Sequence, residues 1–95
     1  MRNISFVSVV IPSHNDGRYL NESIPSVLDQ QFNGSLELLV VNDHTTQDAT
    51  HRVYESWMQT DSRVQVLKNT GDRGIAAASD VGINAAKGDW VAFLD

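Results

Sequence analysis

The chain has 95 residues, of which 41% are hydrophobic and 20% charged, a composition typical of one small globular domain. It contains no cysteine, which excludes disulfide frameworks, thiolate zinc sites and cysteine nucleophiles, and fits a reducing compartment. The formal charge is -5 and the few basic residues are scattered, which argues against nucleic-acid binding. No apolar run is long enough to predict a transmembrane segment in this chain.

Short apolar segments alternate with amphipathic ones along the chain. The apolar segments are rich in β-branched residues or alternate in polarity, which predicts strands, whereas the others carry apolar residues at helical spacing. The predicted strands are Phe6–Pro12, Leu36–Asn42, Arg63–Lys68 and Trp90–Asp95. The predicted helices run from Leu20 to Gln31, from Asp48 past Trp57, and over Gly74–Ala86.

Local signals add detail to the three predicted helices. Pro25 lies inside the first pattern, so that helix is expected to start just before it or to bend there. Thr45 with Asp48 resembles a capping box, and Gly88 stands where the third helix is expected to end. Small residues recur at every fourth position of the third helix, at Ala78, Gly82 and Ala86. Their spacing predicts that this helix lies close on a sheet.

The element order βαβαβαβ predicts an α/β fold with an open parallel sheet. Strands separated by helices of this length are parallel and joined by right-handed crossovers, which places helices on both faces of the sheet. The first strand is the most apolar and is expected to be central, giving the strand order 3-2-1-4. In such Rossmann-like sheets ligands bind beyond the carboxyl ends of the strands.

The candidate functional residues are therefore those that follow each predicted strand. They lie in Pro12–Asp16, Asn42–Thr46 and Asn69–Gly74, and at Asp95. The glycine-rich phosphate-binding motifs G-x-G-x-x-G and G-x-x-x-x-G-K-[ST] are absent, which argues against a dinucleotide domain or a P-loop enzyme.

The residues alone leave two interpretations open at these positions. Asp43 and Asp95 could accept hydrogen bonds from a ribose or base, or bind a hard cation, but Asp43 could equally cap a turn. His14 could stack on a base or simply be solvated. His44 and His51 show no metal-ligand spacing and are interpreted as surface residues.

Four segments, in order, resemble the N-terminal half of a family 2 glycosyltransferase with the GT-A fold. They are VSVVIPSHN, LNESIPSVLDQ, LELLVVNDHTTQDAT and GIAAASDVGINAAKGDWVAFLD. The resemblance extends from Val7 to Asp95. No single segment is decisive, and the order and spacing of all four carry the match.

The resemblance implies a nucleotide-diphosphate sugar as donor, for which we expect UDP, and transfer with inversion to a glycan or other hydroxyl acceptor. The residues expected to bind the nucleotide sugar are Pro12, His14, Asn15, Asp43 and Gly74. Asp95 matches the first Asp of the family's D-x-D motif, which implies that it binds a divalent metal, Mn²⁺ or Mg²⁺. No catalytic residue is assigned, because the family's base is expected beyond Asp95.

The sequence departs from the family pattern at several positions. His44 replaces a common Gly, which narrows the turn conformations allowed, and Ser79–Asp80 replaces the usual R-N pair. Residues 1–95 are thus expected to be the nucleotide-sugar-binding N-terminal part of a longer glycosyltransferase domain, inactive by itself. We expect a cytoplasmic location, peripheral to the membrane in the longer protein, and self-association through exposed apolar surface.

Two other classes of protein compete with the enzyme hypothesis. A non-catalytic α/β nucleotide-binding or scaffold module would keep the fold, and Asn42 and Ser79–Asp80 give this reading some support. A flavodoxin-like or receiver-like regulator needs acidic partners directly after the first strand, and Asp16 lies too far past Pro12 for that role.

Overall fold

The computed structural model describes residues 6–30 and 34–94. The strands are β1 Phe6–Ser13, β2 Ser35–Asn42, β3 Val64–Lys68 and β4 Trp90–Phe93. The helices are α1 Gly17–Leu28, α2 Asp48–Thr60 and α3 Ile75–Ala85. None of them, within these two ranges, combines the length and apolarity needed to cross a membrane. Every predicted element is confirmed with end points that shift by a few residues, while Gln31 and Asp95 lie outside the described residues.

The four strands form one parallel sheet in the order β3-β2-β1-β4. Val10 of β1 pairs with Leu39 of β2 on one side and with Phe93 of β4 on the other. The central position of β1 and the strand order 3-2-1-4 are thus confirmed. An interior strand is covered on both faces, which explains why β1 and β2 read as nearly continuous apolar runs.

Alternation along the central strands divides the apolar core into two layers. On one face Ile11 packs with Leu20 of α1 and Tyr54 of α2. On the other face Val10 packs with Ala78 of α3. Helices therefore cover both faces of the sheet, as predicted.

Pro25 lies in the interior of α1, which begins well before it at Gly17. Of the two alternatives left open at Pro25, a helix start just before it is excluded, and the helical pattern predicted from Leu20 is confirmed. Proline has no N–H to donate to the carbonyl four residues earlier, at Asn21, so α1 forms with one backbone hydrogen bond fewer. The helix still closes its last turn, where the Asp29 N–H donates to the Pro25 carbonyl over 2.9 Å.

The start of α2 differs from the predicted capping box. Its N-cap residue is Gln47, whose side chain makes no capping hydrogen bond. Thr45 instead accepts a hydrogen bond of 3.2 Å at Oγ1 from the backbone N–H of Asn15. Asn15 Oδ1 in turn accepts from the backbone N–H groups of Thr46 and Gln47, at 2.9 and 3.0 Å. The β1–α1 loop therefore holds the turn before α2.

The close approach predicted for α3 is confirmed at Gly82. A Cβ atom added there would overlap the side chain of Val10 on β1. Ala78, one turn earlier, is fully buried against the same face of the sheet. The spacing of small residues thus sets the distance between α3 and the sheet.

Gly88 serves close packing and not a helix C-cap, because α3 already ends at Ala85. A Cβ at Gly88 would lie 2.7 Å from the Ser8 backbone nitrogen. The Gly88 N–H donates to Ser8 Oγ over 2.9 Å, and Ser8 Oγ donates to Glu37 Oε2 over 2.6 Å. The same oxygen of Glu37, a buried residue, accepts the Lys87 N–H over 2.7 Å. These bonds hold the segment entering β4 against β1 and β2.

β4 forms one edge of the sheet and exposes apolar side chains. Trp90 is 60% exposed, Phe93 53% and Val91 39%. Among the described residues β4 pairs with β1 alone. β4 thus carries exposed apolar surface of the kind through which self-association is expected.

Candidate functional site

A cleft of about 370 Å³ opens at the carboxyl ends of β1 and β2. Its lining comprises Pro12, Ser13, His14, Asp16, Tyr19, Asp43 and Ile75. Three of the predicted site residues, Pro12, His14 and Asp43, thus lie together in one cleft. Asn15 and Gly74 lie in the loops that shape the cleft, and the predicted metal ligand Asp95 lies outside the described residues.

The imidazole of His14 is fixed by hydrogen bonds on both ring nitrogens. Nδ1 lies 2.8 Å from the backbone carbonyl oxygen of Asp43. A carbonyl oxygen can only accept a hydrogen bond, so Nδ1 carries the ring proton. Nε2 is then the acceptor, and it accepts a hydrogen bond of 3.3 Å from Asn15 Nδ2. A ring held in this way presents a flat surface of defined orientation, which suits contact with a nucleobase.

Asn15 anchors the loop on which His14 lies. Its backbone adopts a φ of 51°, a left-handed conformation that Asn tolerates better than most residues. Its side-chain carbonyl accepts the two backbone N–H groups that precede α2, and its Nδ2 also donates to Thr46 Oγ1 at 3.3 Å. The side chain therefore joins the loops after β1 and β2.

Asp43 is buried and both of its carboxylate oxygens are bonded to the loop that follows β3. Oδ1 accepts from Asn69 Nδ2, and Oδ2 accepts from the Gly74 N–H, each at 2.9 Å. The structure thus shows Asp43 organising a neighbouring loop, and a carboxylate oxygen with one partner can still accept another hydrogen bond. Both interpretations of Asp43 are compatible with its position in the cleft wall.

Gly74 begins the approach to α3 in a conformation available essentially to glycine alone. Its φ of 140° and ψ of 160° lie in a region where a side chain is strained. The same residue supplies the N–H that Asp43 binds. The requirement for glycine here is therefore conformational, since nothing lies within 4 Å of an added Cβ.

His44 and His51, which were interpreted as surface residues, each form a hydrogen bond with a backbone carbonyl. His44 is exposed but has a φ of 59°, and its Nε2 donates to the Gly71 carbonyl over 2.7 Å. A histidine was expected to restrict the conformations open to this turn, yet the His44 backbone adopts the left-handed conformation that glycine favours. His51 is half-buried at the surface. Its Nε2 donates to the Thr45 carbonyl at 3.0 Å, and its ring meets the Tyr54 ring edge-on.

The sequence analysis assigned no role to three residues of the site, although two of them, Ser13 and Asp16, fall within the candidate segment Pro12–Asp16. Ser13 and Asp16 line the cleft, and Tyr54 lies beneath it, only 3% exposed. Burial raises the pKa of the Tyr54 hydroxyl. Hydrogen bonds with Ser13 and Thr45 lower this pKa by a smaller amount, and the negative charge of Asp16 raises it further. The sequence signal was the pair of polar residues Thr50 and Tyr54, one helical turn apart on the buried face of α2.

The described residues do not by themselves form a metal centre. Within 6–30 and 34–94 no three His, Asp or Glu side chains converge as ligands of one ion. Asp43, the most buried acid of the cleft wall, directs both oxygens to Asn69 and Gly74.

Known proteins are similar to this chain in sequence and in fold. Residues 8–95 match the sequence model of glycosyl transferase family 2. A relative in Escherichia coli, the UDP-Glc:alpha-D-GlcNAc-diphosphoundecaprenol beta-1,3-glucosyltransferase WfgD, is 36% identical over 89 residues, which cover 94% of this chain and 34% of that protein. The chain spans about a third of the length of WfgD and of two further curated relatives, and 12% of the length of two others.

Two solved structures superpose closely on the fold. Staphylococcus aureus TarS 1–349 in complex with UDP-GlcNAc gives a TM-score of 0.79 at 27% identity, covering 97% of this chain and 26% of that one. The mannosyltransferase PcManGT from Pyrobaculum calidifontis, in complex with GDP-Man and Mn²⁺, gives 0.77 at 26% identity, covering 90% of this chain and 25% of that one. The chain belongs to glycosyl transferase family 2 and has the GT-A fold of these enzymes.

Proposed function

We propose that residues 1–95 form the nucleotide-binding part of a glycosyltransferase that uses a nucleoside-diphosphate sugar. In this proposal a sugar passes from a UDP-sugar to a hydroxyl group of a glycan or other acceptor, with inversion at the anomeric carbon. The observation that supports it most is that His14 and Asp43 are joined by a hydrogen bond and line one cleft at the carboxyl edge of the sheet. Ligands bind at this edge in open α/β sheets.

The choice of UDP rests on the relatives. WfgD is named for UDP-Glc, and the TarS structure holds UDP-GlcNAc, whereas PcManGT was solved with GDP-Man. We place the uracil base of the donor beside Pro12, His14 and Asn15. Asp43 is proposed to bind either this base or the ribose attached to it. Gly74 is proposed to contribute by holding the start of α3 beside the cleft.

A divalent metal, Mn²⁺ or Mg²⁺, is proposed to bind through Asp95, in keeping with the Mn²⁺ in the PcManGT complex. Such an ion would neutralise charge on the diphosphate leaving group. We assign no catalytic base within residues 1–95. Sugar transfer is proposed as a property of a longer protein, since the relatives are about three to eight times as long as the matched region.

Calorimetric titration of the 95-residue chain with UDP, GDP and CDP, each with and without Mn²⁺, tests the proposal. We expect UDP to bind most tightly of the three. Absence of binding by all three nucleotides contradicts the assignment of a nucleotide site. Nucleotide binding by a longer protein that transfers no sugar would favour the non-catalytic module instead.

The position of the ligand can be tested separately by NMR. Addition of UDP is expected to shift the backbone amide signals of His14, Asp43 and Ile75, which line the cleft. The last turns of α2, near Met58, lie away from it and act as an internal control. Shifts confined to the control region contradict the proposed site.

A further inference from the structure

A continuous chain of hydrogen bonds runs beneath the cleft and ends at Asp16. Thr45 Oγ1 lies 2.7 Å from the Tyr54 hydroxyl, which lies 2.7 Å from Ser13 Oγ. Ser13 Oγ lies 2.5 Å from Asp16 Oδ1. Thr45, Tyr54 and Ser13 are buried at 9%, 3% and 2% exposure, so protein groups and not bulk water provide these partners. We call Thr45, Tyr54, Ser13 and Asp16 the hydroxyl chain.

Proton counting gives the hydroxyl chain a single direction. A carboxylate can only accept, so Ser13 donates to Asp16. Ser13 has no second proton and accepts from Tyr54, which for the same reason accepts from Thr45. Thr45 is completed by the backbone N–H of Asn15, at 3.2 Å. Each hydroxyl thus donates once, and removing one leaves a buried oxygen short of a partner.

Of the two acids that line the cleft, Asp16 is the one with a carboxylate oxygen that accepts no hydrogen bond from the described residues. Both oxygens of Asp43 accept bonds from the β3–α3 loop, whereas the hydroxyl chain uses only Oδ1 of Asp16. Asp16 Oδ2 makes no hydrogen bond within the part of the chain that the structure describes, and Asp16 is half-buried in the cleft wall. A carboxylate oxygen at this position can accept one or more hydrogen bonds from a ligand.

We propose that Asp16 binds the nucleoside of the donor through Oδ2 and that Tyr54 is a positioning residue, which fixes Asp16 through Ser13. This inference rests on the proposed function, since it names a contact of the same cleft. The group bound is an O–H or N–H donor of the ribose or base. The phosphates are excluded as partners of Asp16, because they carry the same sign of charge.

Binding of uridine and of UDP to the 95-residue chain distinguishes these contacts. Asp16→Asn keeps an oxygen for Ser13 but replaces the other with an amide, and we expect affinity for both ligands to fall by a similar factor, about ten- to a hundred-fold. Asp48→Asn is the matched control, because Asp48 is exposed at the start of α2 and does not line the cleft. We expect this control to bind both ligands as the unaltered chain does.

Tyr54→Phe tests the positioning role, since it removes one hydroxyl and keeps the ring. We expect affinity for uridine to fall, and we expect Tyr54→Phe to add little to the loss already caused by Asp16→Asn, because residues acting through one another are not additive. Thr45→Ser, which keeps the hydroxyl, should retain the affinity that Thr45→Val loses. If Tyr54→Phe fails to fold, Thr45→Val takes its place in the double-mutant comparison.

Each contrary result identifies the part that is wrong. Unchanged uridine affinity in Asp16→Asn, or tighter UDP binding, overturns the contact to Asp16 and leaves the proposed function standing. Fully additive losses in the double variant overturn the positioning role of Tyr54. Failure of the unaltered chain to bind either uridine or UDP overturns both this inference and the proposed function.

Discussion

Asp43 Oδ1 and Asn69 Nδ2 are joined by a hydrogen bond of 2.9 Å across the ends of neighbouring strands β2 and β3. Asn69 also donates to the Asp72 carbonyl at 2.8 Å and accepts the Gly71 N–H at 3.1 Å. Both Asp43 and Asn69 are at least 95% buried. The Asp43 carboxylate thus stabilises the loop that follows β3, and the same carboxylate is proposed to bind the nucleotide.

Asn69→Ala is expected to separate these two roles of Asp43. It removes the loop contacts but leaves the carboxylate, so we expect the free energy of unfolding to fall by about 1–3 kcal/mol with a smaller change in UDP affinity. Asp43→Asn should lower both, and affinity by about ten- to a hundred-fold. Chemical denaturation and calorimetry measure the two quantities. Equal losses of affinity in both variants would mean that Asp43 acts only through the loop.

Gly82→Ala is expected to destabilise the protein although alanine favours helices. The added methyl overlaps Val10, and overpacking of this kind costs about 1–3 kcal/mol, more than the gain of about 1 kcal/mol in helix propensity. Chemical denaturation measures the difference. At Gly71 the nearest atom to an added Cβ is 3.6 Å away, so Gly71→Ala is the control and should change stability little. A Gly82→Ala variant as stable as the unaltered chain would contradict the packing argument.

The ion pair of Asp61 and Arg63 is expected to contribute to stability in a defined pH range. Hydrogen bonds from the Arg63 side chain and backbone lower the pKa of Asp61 from 3.8 to about 2. Because the folded-state pKa is lowered, the contribution is present above pH 3.8 and is lost as the pH falls through about 2. The pair is near the surface, so its contribution should be less than about 1 kcal/mol.

Unfolding free energies of the unaltered chain and Asp61→Asn, measured between pH 7 and pH 2, test this range. The difference between them should shrink as the pH falls below 4, and also on addition of salt. Asp80→Asn is the control, because Asp80 is exposed and forms no ion pair within residues 6–30 and 34–94. A difference that stays constant down to pH 2 would contradict the assignment.

The exposed edge strand β4 is expected to promote self-association of the 95-residue chain. Trp90 and Phe93 expose more than half of their surface beside an edge that has no partner among the described residues. Sedimentation velocity should show association that increases with concentration and that Phe93→Lys reduces. Ile83→Lys changes an exposed apolar residue of α3 and is the control. A clean monomer at high concentration would argue against the edge as a contact surface.

The sequence predicted the frame of the molecule better than its site. Strand order followed from the apolar character of β1 and the handedness of βαβ units, and the close packing of α3 followed from the spacing around Gly82. These features depend on local pattern. Pro25 left two alternatives open, because the loss of one backbone hydrogen bond does not by itself decide whether a helix begins at a proline or continues through it.

The site was only partly predictable because its contacts are distant in sequence. Pro12, His14 and Asp43 lie at or just after the carboxyl ends of strands, so their position in the predicted sheet indicated them. Ser13 and Tyr54 are 41 residues apart, and a buried tyrosine on an amphipathic helix looks like an ordinary core residue. The double engagement of Asp43 by Asn69 and Gly74 likewise depends on how two loops meet.

The bonds that hold the segment entering β4 bear on how the chain folds. Ser8 and Gly88 are 80 residues apart, and Glu37 and Lys87 are 50 apart. Closing such long loops is slow, so β4 should join the sheet last, after β1, β2 and β3 have paired. During synthesis β1 leaves the ribosome before β4, so one edge of β1 stays unpaired with β4 until the later strand has emerged. Contacts made after the rate-limiting step affect mainly unfolding, so Glu37→Gln should speed unfolding and leave the refolding rate nearly unchanged in stopped-flow experiments.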